Sequence, residues 1–481
     1  MDTRDIIMVT LGLASAAAAA WIATQPTATT PLQTSAPQAP PERIDAATQA
    51  PLAPAVAVGP LRVRVALEHG AMRQGESSAL AMVEVAAVEG AEERAPASVA
   101  FVLDTSGSMD GNKLSNAKDA LRGLVNALEE GDQLSLVTFD SDARVVWERQ
   151  RISGDRRRLF ELIDRIPAGG GTCVSCGLEA GYAVLRAAAP RFHRRLLLLS
   201  DGEANNGELN PAALQRVASG AYEVDRVVTS TIGLGRAIDG ALLTTVADGG
   251  AGGYYFVRNS AVIHEILAQE GGAFGRAVAR QVTLDVSPRF GARGRAALRV
   301  GDLRLGERRR FLIPFEVAPG ATGEVFSARV SLETGEGRRG VTQAASVRRV
   351  ASEAEVAASR DWSVSAERAR EEGAAAITSA LASLRYGQQE VARRTLRDSR
   401  HLLAQTLEQL RGLKHDDQGA VRAQLAEVDG LLGSLPEYTP GSDHLRAALL
   451  THEATAHERS RGVGGEDAFY HLLIHADTEL E

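Results

Sequence analysis

Asp104, Ser106 and Ser108 place one carboxylate and two hydroxyls at alternate positions of the stretch Ser98–Met109, SVAFVLDTSGSM. Gly107 relieves the backbone between the two serines. Hard divalent cations take oxygen ligands, and Mg2+ prefers about six in octahedral order, usually keeping some waters. One charge and two neutral hydroxyls under-neutralise such an ion and leave it electrophilic toward a carboxylate from outside. Small polar residues also fill ordinary turns, so the spacing needs support from elsewhere in the chain. The apolar run Val99–Leu103 just before it reads as a strand buried on both faces. That puts the oxygens at the strand's C-terminal end, where open α/β sheets bind ligands.

Two later stretches supply the support. Gly169-Gly170-Gly171-Thr172 is a glycine-rich loop ending in a hydroxyl, directly before a helix-like segment. Arg194–Leu199 is a second apolar run, followed by Ser200-Asp201-Gly202. Three loops at strand ends would then converge on one point. In this order of D-x-S-x-S, Thr and Asp, the chain resembles the von Willebrand factor A domain family. The resemblance covers roughly Ser98–Gly272, and all five positions of that family's metal-ion-dependent adhesion site are present. It implies a Mg2+ (or Mn2+ or Ca2+) site formed by Asp104, Ser106, Ser108, Thr172 and Asp201. The hydroxyls of the two serines and Thr172 would bind directly, and the aspartates directly or through water.

A cation held by two carboxylates keeps the capacity to attract a third. The expected function is therefore a metal-dependent protein-binding module that captures an exposed Asp or Glu of a partner protein. One alternative is a structural subunit of a cell-envelope assembly with a vestigial metal site. Another is a metal-assisted hydrolase, which would need a base or nucleophile beside the ion. No histidine lies near the three loops, because His193 sits at the far end of its strand, so no enzyme is expected.

Both cysteines of the chain, Cys173 and Cys176, follow Thr172 in the segment GTCVSCGL. Three residues apart at the start of a helix, they share a face. A structural disulfide, two free thiols and a redox pair are the three readings.

The elements that must position these residues belong to a longer chain. With 481 residues it exceeds one core and predicts several domains. The net charge is −8, and from Ala351 onward 14 Lys and Arg face 22 Asp and Glu. Nothing forms the concentrated basic face of a nucleic-acid binder. The runs Arg156-Arg157-Arg158 and Arg308-Arg309-Arg310 read as solvated faces and element edges.

Residues 1–23 read as a signal peptide or an uncleaved membrane anchor, from the apolar segment Ile6–Ile22. No cysteine follows it, which argues against a lipoprotein. The expected location is the periplasm or cell envelope, with membrane contact only if that segment is retained. Eight of the 17 prolines lie between Pro26 and Pro60, so residues 24–59 read as an extended, disordered linker.

Leu61–Glu68 alternates apolar and polar residues, which predicts a half-buried strand, and Ser78–Val88 a second. Residues 98–272 alternate strand and helix patterns, which predicts a doubly wound α/β domain. Period two returns at Val282, Leu284 and Val286 and again at Phe326, Ala328, Val330 and Leu332. The fold expected is a Rossmann-like domain of the family inserted in a β-sandwich made of residues 60–97 and 273–350. This resembles bacterial proteins of the family and the inter-alpha-trypsin inhibitor heavy chains.

Residues 351–481 read as an acidic helical region. Ala380–Leu410 resembles one tetratricopeptide-like hairpin turning at Gly387, and Val421, Leu425, Val428, Leu432 and Leu435 form an apolar stripe. His452-Glu453 and His457 suggest the zinc-protease motif, but five-residue spacing turns the two rings to different helix faces. The tail histidines, including the pair His471 and His475, read as solvated.

Overall fold

The computed structural model describes residues 54–460 apart from 89–94, 154, 203, 236–237, 258–262, 264–265, 268–269, 271–276, 289–295, 335–336, 414 and 416. The chain opens with strands β1 (Val56–Val58), β2 (Leu61–Leu67), β3 (Ala71–Arg73) and β4 (Ser78–Ala87). The α/β unit follows: β5 (Ala97–Asp104), α1 (Asn112–Ala127), β6 (Gln133–Phe139), β7 (Ala143–Arg151), α2 (Arg157–Asp164), α3 (Val174–Arg186), β8 (His193–Ser200), α4 (Pro211–Asp225), β9 (Val227–Leu234), α5 (Gly240–Gly249) and β10 (Ala251–Val257). Then come β11 (Ala277–Pro288), β12 (Ala296–Arg304), β13 (Arg308–Glu316), β14 (Gly323–Thr334) and β15 (Gly337–Val350). The described chain ends in α6 (Glu353–Ala358), α7 (Trp362–Arg385), α8 (Gln389–Gly412), α9 (Gln418–Ser434) and α10 (Asp443–Ser460).

In the α/β unit the sheet order is β10-β9-β8-β5-β6-β7. All neighbours are parallel except β7, which runs antiparallel to β6 at the edge. Every residue of β5 is buried. Val99, Phe101 and Leu103 feed the core under α1, where Leu114, Leu121 and Leu124 meet them. Ala100 and Val102 feed the opposite core with Leu178, Tyr182 and Leu185 of α3. An apolar run without alternation thus serves two helix layers at once, as a doubly wound sheet requires. The chain leaves β5 toward β6 on one side and later returns with β8 on the other. The strand order therefore reverses between β5 and β8, and the C-terminal ends of strands at such a switch point are where open α/β sheets bind ligands.

The flanking strands form two facing sheets, β1-β2-β4-β13 and β12-β11-β14-β15-β3. β13, from beyond the α/β unit, pairs with β4, from before it, along its whole length from Arg308↔Ala86 to Glu316↔Ser78. One core joins Val63, Val65, Val83 and Val85 to Val282, Leu284, Phe326 and Val330. The α/β unit is inserted into this sandwich.

Several expectations need correction. Val56–Val58, inside the stretch read as linker, forms β1 and pairs antiparallel with β2. β2 is not half-buried. Its second face carries Arg64 and Ala66, both buried, because α7 packs over it, with Ala66, Leu80, Met82 and Val364 making a small core. Arg64 pairs with Asp361, while Glu68 accepts hydrogen bonds from Ser365 and Arg368. The arginine runs are not uniformly solvated either. Arg309 is 3% exposed and donates to the carbonyls of Val300 and Asp302. Arg156 caps the end of α1 by donating to the carbonyls of Val125 and Leu128.

The hairpin α7–α8 turns at Gly387, whose φ of +72° favours glycine. Val421 and Val428 of α9 and Leu435 just beyond it are buried against this pair. Leu450 of α10 joins the α/β core beside Tyr254 and Phe256. His452 is buried, its Nε2 2.6 Å from Thr378 Oγ1, contrary to the solvated reading. His471 and His475, residues 1–53 and the side chain of His457 lie outside the described residues. Among the described residues no helix is long and apolar enough to cross a membrane.

Candidate metal centre

Asp104 closes β5, and its carboxylate organises the loop that follows. Oδ1 accepts the Ser106 amide at 2.8 Å, and Oδ2 accepts Ser200 Oγ, at the end of β8, at 2.5 Å. Asp104 is fully buried, and that burial pushes its carboxyl above the usual range while the bonds from Ser200 and Ser106 pull it back. Met109, fully buried, anchors the short 3-10 turn that carries Ser108.

The second loop is held against the first by backbone. The Gly107 amide donates to the Gly170 carbonyl at 3.2 Å, and the Gly169 amide to the Thr105 carbonyl at 2.8 Å. Gly170 has a φ of +84°, and a Cβ there would stand 3.0 Å from that of Asp140. Only glycine fits both conditions. The Thr172 amide donates to Asn205 Oδ1 at 2.9 Å, and the Asn205 amide returns a bond to the Thr172 carbonyl at 3.1 Å. This reciprocal pair ties the second loop to the one after Asp201.

The third loop brings Asp201, fully buried, onto the serines. Ser108 Oγ donates to Asp201 Oδ1 at 2.7 Å and lies 3.1 Å from Ser106 Oγ. Lys113 of α1 pairs with Asp201 Oδ2 and donates to the Ser108 carbonyl at 3.3 Å. A Cβ placed on Gly202 would lie 3.4 Å from Ser108 Oγ and 3.5 Å from Thr172 Oγ1. The absent side chain leaves a cradle faced by hydroxyls from two different loops.

Asp104, Ser106, Ser108, Thr172 and Asp201 are thus brought to the switch point of the sheet. The donor set is all oxygen, three hydroxyls and two carboxylates, which suits a hard divalent cation such as Mg2+, Mn2+ or Ca2+. The residues fit the ion implied by the spacing. His193 lies at the opposite end of β8, roughly 23 Å away at 3.3 Å per residue. Among the described residues no group of three His, Cys, Asp or Glu forms a metal cluster.

Lys113, Ser200 and Asn205 escaped the sequence reading. Ser200 adjoins Asp201 and was open to notice, and Lys113 follows the metal loop in Gly111-Asn112-Lys113. Asn205 carries no signal in the sequence, since its role depends on the path of the loop. The cysteines form a disulfide, Cys173–Cys176, in the first turn of α3. The Cys173 amide is bonded to the Asp140 carbonyl at 2.7 Å, which fixes the residue next to Thr172.

Comparison with known proteins agrees with the fold of the α/β unit. Residues 98–269 match the family model described as von Willebrand factor type A domain. An uncharacterized protein of Synechocystis is 32% identical over 170 residues, 35% of this chain and 39% of that one. Human inter-alpha-trypsin inhibitor heavy chain H3 is 33% identical over 129 residues, 25% of this chain and 14% of its own length. The chain therefore spans well under half the length of these curated relatives. Among solved structures, a von Willebrand factor type A protein from Catenulispora acidiphila superimposes with a TM-score of 0.61 at 18% identity, over 78% of this chain and 96% of that one. That likeness concerns the fold alone.

Proposed function

We propose, from the premise that residues 98–269 are a von Willebrand factor type A domain, that the chain captures a partner protein through a divalent cation. Domains of this type are generally metal-dependent protein-interaction modules. The observation that carries the reading is the oxygen cradle of Asp104, Ser106, Ser108, Thr172 and Asp201, which holds only two carboxylates. When bound, a divalent cation supplies an electrophilic centre for one carboxylate of the partner, and that contact is charge-assisted. The chain's own residues orient the donors. Ser200 fixes the Asp104 carboxylate, Asn205 fixes the backbone of Thr172, and Gly202 keeps the approach open.

The partner is a protein with an exposed Asp or Glu, and binding involves no turnover. Ser200, Asn205 and Lys113 hold the site in shape, and His193 stands a strand's length away. The segment Ile6–Ile22 supports an exported protein acting in the cell envelope, tethered to the membrane where the segment is retained.

The test is calorimetry with Mg2+ and capture of an envelope partner with and without EDTA. Asp104→Ala should abolish metal binding with the fold intact, and EDTA should release the partner. Equal Mg2+ affinity in wild type and Asp104→Ala overturns the reading. Capture indifferent to both treatments points to a scaffold with a vestigial site.

A further inference from the structure

The cysteine pair sits where a change in it would be felt by the metal loops. Cys173 directly follows Thr172 and is fully buried, whereas Cys176 is partly exposed. Cys173 is the N-cap of α3, with its Sγ accepting the Cys176 amide at 3.3 Å and lying 3.5 Å from Ser175 Oγ. The loop after Asp201 rests on the same sulfur. Gly207, at φ +75°, passes so close that a Cβ there would lie 2.6 Å from Cys173 Sγ and 2.3 Å from Ser175 Oγ. The Glu208 amide donates to Ser175 Oγ at 2.9 Å. The bridge therefore lies under both the Thr172 loop and the loop that carries Asn205 and Asp201.

The two sulfurs differ in the way that directs exchange. In thiol–disulfide exchange the attacking thiolate needs access to the sulfur it attacks. Cys176 offers the access. Cys173, fully buried, is out of an attacking thiol's reach and is therefore the sulfur that leaves.

We propose that Cys173–Cys176 is an exchangeable disulfide, a substrate for a dithiol reductant, and that its oxidation state sets the metal affinity of the adjoining centre. The second half rests on the capture reading above. A thiolate of the dithiol attacks Cys176 Sγ, forming a mixed disulfide and expelling Cys173 as thiolate. The second thiol of the reductant, deprotonated, attacks its own sulfur in the mixed disulfide and expels Cys176. Two electrons pass from the dithiol to the protein. The reductant leaves as a cyclic disulfide, and its two protons end on the two cysteines. Reduction frees the first turn of α3, so Thr172 and the Asn205 loop lose their common anchor and must be ordered again when the ion binds.

The experiment uses the full chain purified in oxidised form. Thiols are counted by alkylation and mass under native conditions before and after stoichiometric dithiothreitol, and Mg2+ affinity is measured by calorimetry on both forms. Native reduction is expected to go to completion, and Mg2+ affinity to fall about fivefold, the worth of ordering one side chain. The double variant Cys173→Ser, Cys176→Ser should show the weaker affinity and no response to dithiothreitol. Reduction of the wild type is an independent route to the same state where that variant folds poorly. A pair that resists dithiothreitol until the protein is denatured overturns the exchange, and reduction without a change in Mg2+ affinity overturns the gate. Absence of Mg2+ binding in either form removes the capture reading and the gate together, while the alkylation result still decides the exchange.

Discussion

The ammonium of Lys113 rests on the Asp201 carboxylate, an exposed-side cation against a fully buried acid of the metal cradle. The side chain of Lys113 is 38% exposed and that of Asp201 0%. A divalent ion in the cradle and this ammonium would face the same carboxylate and repel each other, with the repulsion weakened by solvent. Lys113→Met should therefore bind Mg2+ about tenfold more tightly, roughly 1.4 kcal/mol. Calorimetry giving unchanged or weaker binding would show that Lys113 has no electrostatic hold on the site.

The three loops that converge at the sheet's switch point were legible because their residue patterns are local. Asp104, Ser106 and Ser108 lie within one turn, and Thr172 and Asp201 each end a recognisable pattern. The sandwich was legible because period two stops before the α/β unit and resumes after it. The outer face of β2 was not. Arg64 and Glu68 look like solvent-facing residues until Asp361 and Arg368, some 300 positions later, arrive to pair with them. Burial of a charged residue depends on a distant partner that no local pattern announces.

Arg310 is the sharpest case. Its guanidinium reaches Glu84 Oε2 at 2.7 Å on the neighbouring strand and Asp417 Oδ1 at 2.7 Å at the head of α9, with Glu367 of α7 at 3.6 Å. It clamps the helices to the sandwich. Arg310→Met would remove the cation that Glu84 and Asp417 share, while Glu367 keeps its bonds to Arg370 and Glu84 a longer contact with Arg308. The substitution should cost about 3 kcal/mol. Urea unfolding would measure it, and a loss under about 0.5 kcal/mol, the range of ordinary surface substitutions, would show the clamp to be idle.

His69 should give this docking a pH dependence. Its Nδ1 lies 3.1 Å from the Val356 carbonyl of α6. Burial lowers its pKa below the ordinary 6.5, with Arg360 and Arg368 acting the same way and Glu68 and the Val356 carbonyl opposing. A folded-state pKa below the unfolded value means that the unfolded chain binds the proton first. Stability from this group is complete above about pH 6.5 and is lost as pH falls from there toward the lowered value. His69→Gln should flatten that part of the melting-temperature profile. An identical profile in both proteins would place the acid sensitivity elsewhere.

The last prediction links packing to the site. Gly177 and Gly181 let α3 lie close on the sheet. A Cβ at Gly181 would stand 2.7 Å from Leu196 Cδ1 and 2.8 Å from Val102 Cγ2, and one at Gly177 2.8 Å from Phe139 Cδ1. Those neighbours are buried in the α/β core and cannot retreat into solvent. A larger residue must therefore lift the helix. Because α3 begins two residues after Thr172, a lifted helix carries that hydroxyl away from Ser108 and Asp201. Gly181→Val should cost about 3 kcal/mol through overpacking, with little helix-propensity gain to offset it. It should also weaken Mg2+ binding, although residue 181 touches none of the five donors. If the variant loses stability but binds Mg2+ as the wild type does, the Thr172 loop is set by Asn205 and Asp140 alone, and the seat of α3 on the sheet does not reach the metal.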